Sequence, residues 1–329
     1  MKRAPLALAL ALSLASPATA QTLAPAFTRP MPTAPALPAP ADGLRPSDPD
    51  DQPPPDLAFA AFQRGYFVTA LREAMKRIDA NSNDAPAMTL VAELYRVGLG
   101  VRRDLAEAAR WYRLAADRGD PQAAFALGRA HIEGAGVDKD DAKAKIMFEK
   151  AASNEHSGAL YNLGMMAMDA TVADFPKAAD YFRRSAAQGD MDAAYALAML
   201  YREGTGVPRD RQHAAQLLKQ AADEKNLAAQ IEYAIALFNG DGVEKDEAGS
   251  AKYFLQAAAR ENPIAENRLA RMLATGRGVR RDLVEAMKWH ILARAAGIKD
   301  EFLDSQLATL TPQQRVAVDE AVRKFIGNR

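Results

Sequence analysis

The chain has 329 residues, 42 Lys and Arg against 42 Asp and Glu, and no cysteine. A neutral balance gives no electrostatic case for a nucleic acid or anionic membrane partner. Without cysteine there are no disulfides, thiolate metal sites, cysteine nucleophile or lipidated N-terminal cysteine.

Residues 1–20 read as a secretory signal. Lys2 and Arg3 supply the charged start, Leu6 to Leu14 a short apolar run, and Ala18-Thr19-Ala20 a cleavage site before Gln21. The run is too short to span a bilayer comfortably, so no integral membrane segment is expected after cleavage. The mature chain is expected in the periplasm or secreted. Residues 21–55 hold 11 of the 19 prolines and few bulky apolar groups. Such a segment buries too little apolar surface to offset its ordering entropy, and reads as a Pro-rich disordered tether. Residues 56–83 predict a helix pair that caps the N-terminus: Ala58, Ala61 and Phe62, then Ala70, Leu71, Ala74, Met75 and Ile78, lie at helical spacing around a turn at Gly65.

Beyond residue 83 a loop recurs, Gly-x-Gly-Val-x-x-Asp. Its copies begin with the pairs Gly98 and Gly100, Gly134 and Gly136, Gly204 and Gly206, Gly240 and Gly242, and Gly276 and Gly278. The starts are 36 residues apart, except for one gap of 70 that holds a worn copy at Ala170–Asp174. A period of this size means a stacked array of repeats. The loop follows a helix rather than a strand and recurs, so its glycines are structural and not a phosphate cradle. They end the first helix of each repeat, helix A, with φ > 0. The loop Asp caps the second, helix B, and Glu107 and Glu285 stand where a capping-box partner belongs.

Aligned copies show columns. Four and eleven residues after each Asp the chain is small, as at Ala108 and Ala115 or Ala178 and Ser185. Seven and eight after it is large, as at Trp111-Tyr112, Tyr181-Phe182 and Trp289-His290. In helix A, Leu127, Leu163 and Leu197 are followed by Gly128, Gly164 and Ala198. Large side chains facing small ones are what close helix packing requires. The aromatic column is therefore assigned to the core.

Residues 108–137 read A-x-x-W-Y-x-x-A-A-x-x-G-x-x-x-A-x-x-x-L-G-x-x-x-x-x-G-x-G-V. This pattern resembles the Sel-one-like repeat (SLR), a relative of the tetratricopeptide repeat, over six units spanning 84–298. The departures are His131 in a column usually Tyr and the worn loop at Ala170. The resemblance implies an all-α fold, a right-handed α-solenoid of antiparallel helix pairs, that serves as an adaptor or regulator through protein contacts. Residues 299–329 break the period and predict C-terminal capping helices. Phe302, Leu303 and Leu307 suggest a short one, and Thr311-Pro312-Gln313-Gln314 reads as a capping box opening another.

Motifs for catalysis are missing: there is no Gly-x-Ser-x-Gly, Ser-x-x-Lys, His-Glu-x-x-His or Walker loop. No catalytic residue, cofactor or metal is expected. His131, His156, His213 and His290 fall in different repeats and columns, against a shared metal site. His131 and His290 occupy core columns and are expected to be hydrogen-bonded packing residues.

The tetratricopeptide likeness implies a concave groove lined by helix A. The matching positions lie nine, five and two residues before the first loop Gly, on one helical stripe. They nominate Phe125, Arg129, Tyr161, Met165, Met168, Tyr195, Met199, Arg202, Ile235, Phe238 and Arg271 as contacts for a protein or peptide. Met and aromatic side chains would take apolar anchors and Arg would take acidic groups. Two rival readings stand beside this one. Cysteine-rich SLR relatives suggest a cell-wall polymer or β-lactam ligand, although their cysteines are missing here; the other rival is a purely structural spacer.

Overall fold

The computed structural model describes residues 56–327. The predicted signal and tether lie outside them. All regular structure among the described residues is helical. A short pair, α1 (Leu57–Gln63) and α2 (Phe67–Ala80), opens the array. Six A–B pairs follow: α3 (Ala85–Val97) with α4 (Leu105–Asp117), α5 (Pro121–Glu133) with α6 (Asp141–Ala152), and α7 (Ser157–Asp169) with α8 (Phe175–Ala187). The remaining pairs are α9 (Met191–Glu203) with α10 (Arg211–Asp223), α11 (Leu227–Asn239) with α12 (Glu247–Ala258), and α13 (Pro263–Thr275) with α14 (Leu283–Ala295). Two helices close it, α15 (Glu301–Ala308) and α16 (Pro312–Gly327). Within the repeats each helix packs on its neighbours in sequence, the arrangement of an α-solenoid. No described helix is long and apolar enough to cross a membrane.

The loop Asp joins the two helices of each repeat. In the first, the Asp104 carboxylate accepts from the Glu107 N–H at 2.9 Å, while the Asp104 N–H donates to the Tyr95 carbonyl at 3.0 Å. The same two bonds recur at Asp140, Asp174, Asp210, Asp246 and Asp282. This corrects the capping-box expectation. The Asp N–H that Glu107 or Glu285 would satisfy is already held by helix A, so Glu107 pairs with Arg110, and Glu285 with Lys288 and Trp289. The box does form at α16, where no helix A competes. Thr311 N–H donates to Gln314 Oε1 at 3.0 Å, and Gln314 N–H to Thr311 Oγ at 3.2 Å.

The two loop glycines have separate reasons. The first, at Gly98, Gly134, Gly204, Gly240 and Gly276, closes helix A in the left-handed region. The second is also left-handed, and it touches the preceding repeat. A Cβ on Gly136 would stand 2.0 Å from the Leu105 carbonyl oxygen at the start of α4. Gly242 and Gly278 meet the Arg211 and Glu247 carbonyls in the same way. The worn loop has neither glycine, and Ala170 ends α7 extended, with φ −60° and ψ 151°.

The core follows the columns. Tyr112, Phe148, Phe182, Leu218, Phe254 and His290, eight after the Asp, are all buried. Phe182 lies so close to α7 that a Cβ on Gly164 would sit 2.6 Å from its ring, and Phe148 fills the same place against Gly128. Serines in the alanine columns are satisfied: Ser185 donates to the Ser157 carbonyl and Ser250 to the Ala234 carbonyl. His131 and His290 are buried as expected. His131 Nδ1 lies 3.1 Å from the Asp138 carbonyl, and His290 Nε2 lies 2.9 Å from Asp304 on α15.

Two further columns carry no counterpart in the sequence reading. Asp84, Asp120, His156, Asp190, Asn226 and Asn262 cap helix A through their side chains. The turn out of helix B needs one left-handed residue, supplied by Gly119, Gly189 and, before α15, Gly297, but also by Glu155, Lys225 and Glu261. A side chain in that region costs about 1–2 kcal/mol, against about 0.5–1 kcal/mol of extra chain entropy for glycine. Lys225→Gly should therefore stabilise the protein by roughly 0.5–1 kcal/mol. Gly136→Ala, which adds a backbone clash to the strain, should destabilise it by about 2–4 kcal/mol. Urea unfolding of both variants checks the pair, and a Gly136→Ala midpoint equal to the parent's would refute the close-approach account.

Candidate functional site

The nominated stripe runs along the helix-A faces, and most of it is half-buried. Such side chains sit between core and surface, with one side packed and the other open. Phe125 stacks on His156 with centroids 4.5 Å apart and lies 5.9 Å from Phe148. Tyr161 tilts against Phe182 at 5.8 Å, and Met165 and Met168 pack on the same core beside it. Burial pushes the Tyr161 and Tyr195 phenols above their ordinary range, so both remain neutral donors. Ile235 and Phe238 continue the apolar line on α11.

Met199 differs from its expected role. It is 6% exposed and belongs to the core formed with Leu218, Tyr233 and Leu237, so it is a packing residue rather than a contact.

The stripe arginines are engaged within the chain. Arg129 donates to Glu133 one turn on at 2.6 Å. Arg202 reaches Glu203 at 3.1 Å and, on the next repeat, Glu232 at 2.6 Å. Arg271 makes two bonds to Asp300, at 2.5 and 2.9 Å, and Asn267 adds a third at 2.8 Å. Burial opposes ionisation of Asp300, but these bonds prevail and hold its carboxyl at about 2. An acidic partner group would have to compete with these carboxylates for the arginines.

Three nominated residues share one cavity. Ile235, Phe238 and Arg271 line a space of about 330 Å³ between α11 and α13, closed by Phe302 of α15. The Arg277 guanidinium lies 4.1 Å from the centre of the Phe238 ring and is paired with Glu247. Sequence reasoning passed over Arg268, Arg277 and Phe302 because none sits on the stripe. Among the described residues no group of three or more His, Asp or Glu is placed to hold a metal ion.

Helix pairs stacked in one direction, with a half-buried apolar line on the first helix of each, define an α-solenoid repeat protein. The Sel1 repeat model matches residues 85–120, 121–156, 157–190, 192–226, 227–262 and 263–298, and the chain belongs to the Sel1 repeat family. Its fold is similar to that of a Sel1 repeat protein from Oxalobacter formigenes, 30% identical, with a TM-score of 0.65 over 73% of this chain and 98% of that one. It is also similar to c5321, a protective antigen present in uropathogenic Escherichia coli strains displaying an SLR fold. There the identity is 26% and the TM-score 0.56, over 82% of this chain and 67% of that one. No curated protein matches the chain.

The central repeat of the stripe is pH-sensitive by construction. His156 caps α7 with Nδ1, which accepts from the Ala159 N–H at 3.3 Å, while Nε2 faces Gln122 Oε1 at 3.0 Å. Only the neutral imidazole has a lone pair to accept with. Burial lowers the His156 pKa below 6.5, against a weaker opposing pull from its own backbone and Asp120. Between the lowered value and 6.5 the unfolded chain therefore binds more protons than the folded one. The stability contribution is complete above pH 6.5 and is lost as pH falls through the folded value. His156→Asn keeps a cap without the titration. Its unfolding midpoint should fall less between pH 7.5 and 5.5 than the parent's, and equal falls in urea titrations would remove His156 as the source.

Proposed function

We propose that this Sel1 repeat protein is an exported, non-catalytic scaffold that holds a protein or peptide partner along its helix-A stripe, as an adaptor or regulator in the cell envelope. The observation that carries the reading is the half-buried run of Tyr161, Met165 and Met168 on α7, continued by Phe125 and Tyr195 on its neighbours. Packing of helix A on helix B covers one side of these side chains and leaves the other open. Flexible Met beside rigid aromatics suits a surface that adapts to apolar anchors. Export rests on the predicted signal at residues 1–20.

Capture of the mature chain's partners from its own periplasm, followed by mass spectrometry, tests the scaffold reading. Tyr161→Ala combined with Met165→Asp should remove the specific partner, while circular dichroism stays unchanged. A partner retained by this variant overturns the stripe assignment. Intact mass of the protein from that fraction should place its first residue at Gln21.

A further inference from the structure

We infer that the cavity between α11, α13 and α15 seats the C-terminal residue of a bound peptide, its apolar side chain inside and its terminal carboxylate on Arg268. The inference rests on the scaffold reading above and deepens it by stating the end chemistry and direction of the bound chain.

The lining is one-signed. Arg268, Arg271 and Arg277 contribute to it, and no Asp or Glu does. Two of these cations are already matched, Arg271 by Asp300 and Arg277 by Glu247. Arg268 is exposed and has no hydrogen-bond or ion-pair partner among the described residues. Apart from the arginines the lining is mostly apolar, with Ile235, Phe238, Met272 and Phe302 beside the neutral Asn239 and Thr275. A carboxylate drawn to Arg268 would sit beside apolar walls, where pairing is stronger than in open water. At about 330 Å³ the space lies at the small end of ligand pockets, so it has room for one or two residues rather than a helix.

The fold says why the occupant is a chain end. The stripe continues from helix A to helix A until the sixth repeat, where α15 interrupts it. Asp300 holds Asn267 and Arg271, the stripe positions of α13, and the Phe302 ring lies 5.6 Å from the Arg271 guanidinium. A peptide laid along the stripe meets this wall and stops. Of its two ends, an unmatched guanidinium selects the carboxylate and repels the ammonium. The bound chain therefore runs with its C-terminus toward α15.

Fluorescence anisotropy on the mature chain tests this with three labelled hexapeptides. The first is Gly-Ser-Gly-Ser-Ala-Phe with a free carboxylate, the second its C-terminal amide, and the third the amide with Glu as the penultimate residue. The free acid should bind at least ten-fold tighter than either amide. Arg268→Glu, at an exposed position, should erase that preference, and Phe238→Ala should weaken the acid without erasing it. Equal binding of acid and amide, no binding of the acid at 1 mM, or a preference that survives Arg268→Glu each overturns the inference. A Glu-containing amide that matches the acid also overturns it, by assigning the site to an internal acidic side chain. Tyr161→Ala with Met165→Asp lies away from the cavity and should leave the preference intact. Loss of the preference only in Arg268→Glu, together with a partner retained by the α7 variant, would sink the stripe reading and spare the pocket. The reverse result would sink the pocket alone.

Discussion

The structure depends on one residue used twice, the aspartate that ends each inter-helix loop. Its N–H is bonded to a carbonyl in the last turn of helix A, and its carboxylate to an N–H in the first turn of helix B. Two bonds to two helices fix how the pair is set, and the buried columns can face each other only because that setting repeats. The aspartate matters more than the glycines that make the loop conspicuous. At the worn third loop both glycines are gone, yet Asp174 still bonds Ala167 and still caps α8. The chain there leaves helix A extended instead of left-handed, and the joint survives.

Much of this was legible in the sequence because a repeat is its own alignment. The small columns and the large column eight after the Asp identified the core in every unit, including Phe182 against Gly164, whereas the column seven after is half-buried at Trp111, Met147, Tyr181, Leu217 and Tyr253. What escaped did so for physical reasons. The helix-A caps are a mixture of Asp, Asn and His, three side chains that share an acceptor atom but not an appearance. The left-handed turn between repeats is disguised by Glu155, Lys225 and Glu261. Glu107 looked like a capping-box partner because local spacing cannot show that the N–H it would bond is taken by Tyr95.

The candidate site was legible in position more than in state. Counting back from the loop glycine found the half-buried face, but side-chain chemistry on that face depends on neighbours a repeat away. Arg202 is matched by Glu232 and Arg271 by Asp300, so the arginines that sequence offered to an acidic partner are mostly occupied. Met199 has the chemistry of a contact residue, yet the packing of Leu218 and Tyr233 around it makes it core. The cavity at the C-terminal end could not be read at all, since Phe302 comes from a helix outside the period. The apolar line is consequently the part of the face least engaged within the chain, whereas Arg129 is tied within its own helix, Arg202 to the next repeat and Arg271 to α15.

The contact made by the second loop glycine has a wider meaning. At Gly136, Gly242 and Gly278 the junction between consecutive repeats is a bare backbone against a main-chain carbonyl. At two of these junctions the residue before the glycine adds an ion pair across the boundary, Asp241 with Arg211 and Arg277 with Glu247. A copied unit of 36 residues inserted there would present its neighbours with the contact they already make. Gene duplication can then lengthen the array while keeping this backbone contact, with only the flanking ion pairs left to match, and the reach of the array becomes a quantity that evolution can adjust one copy at a time.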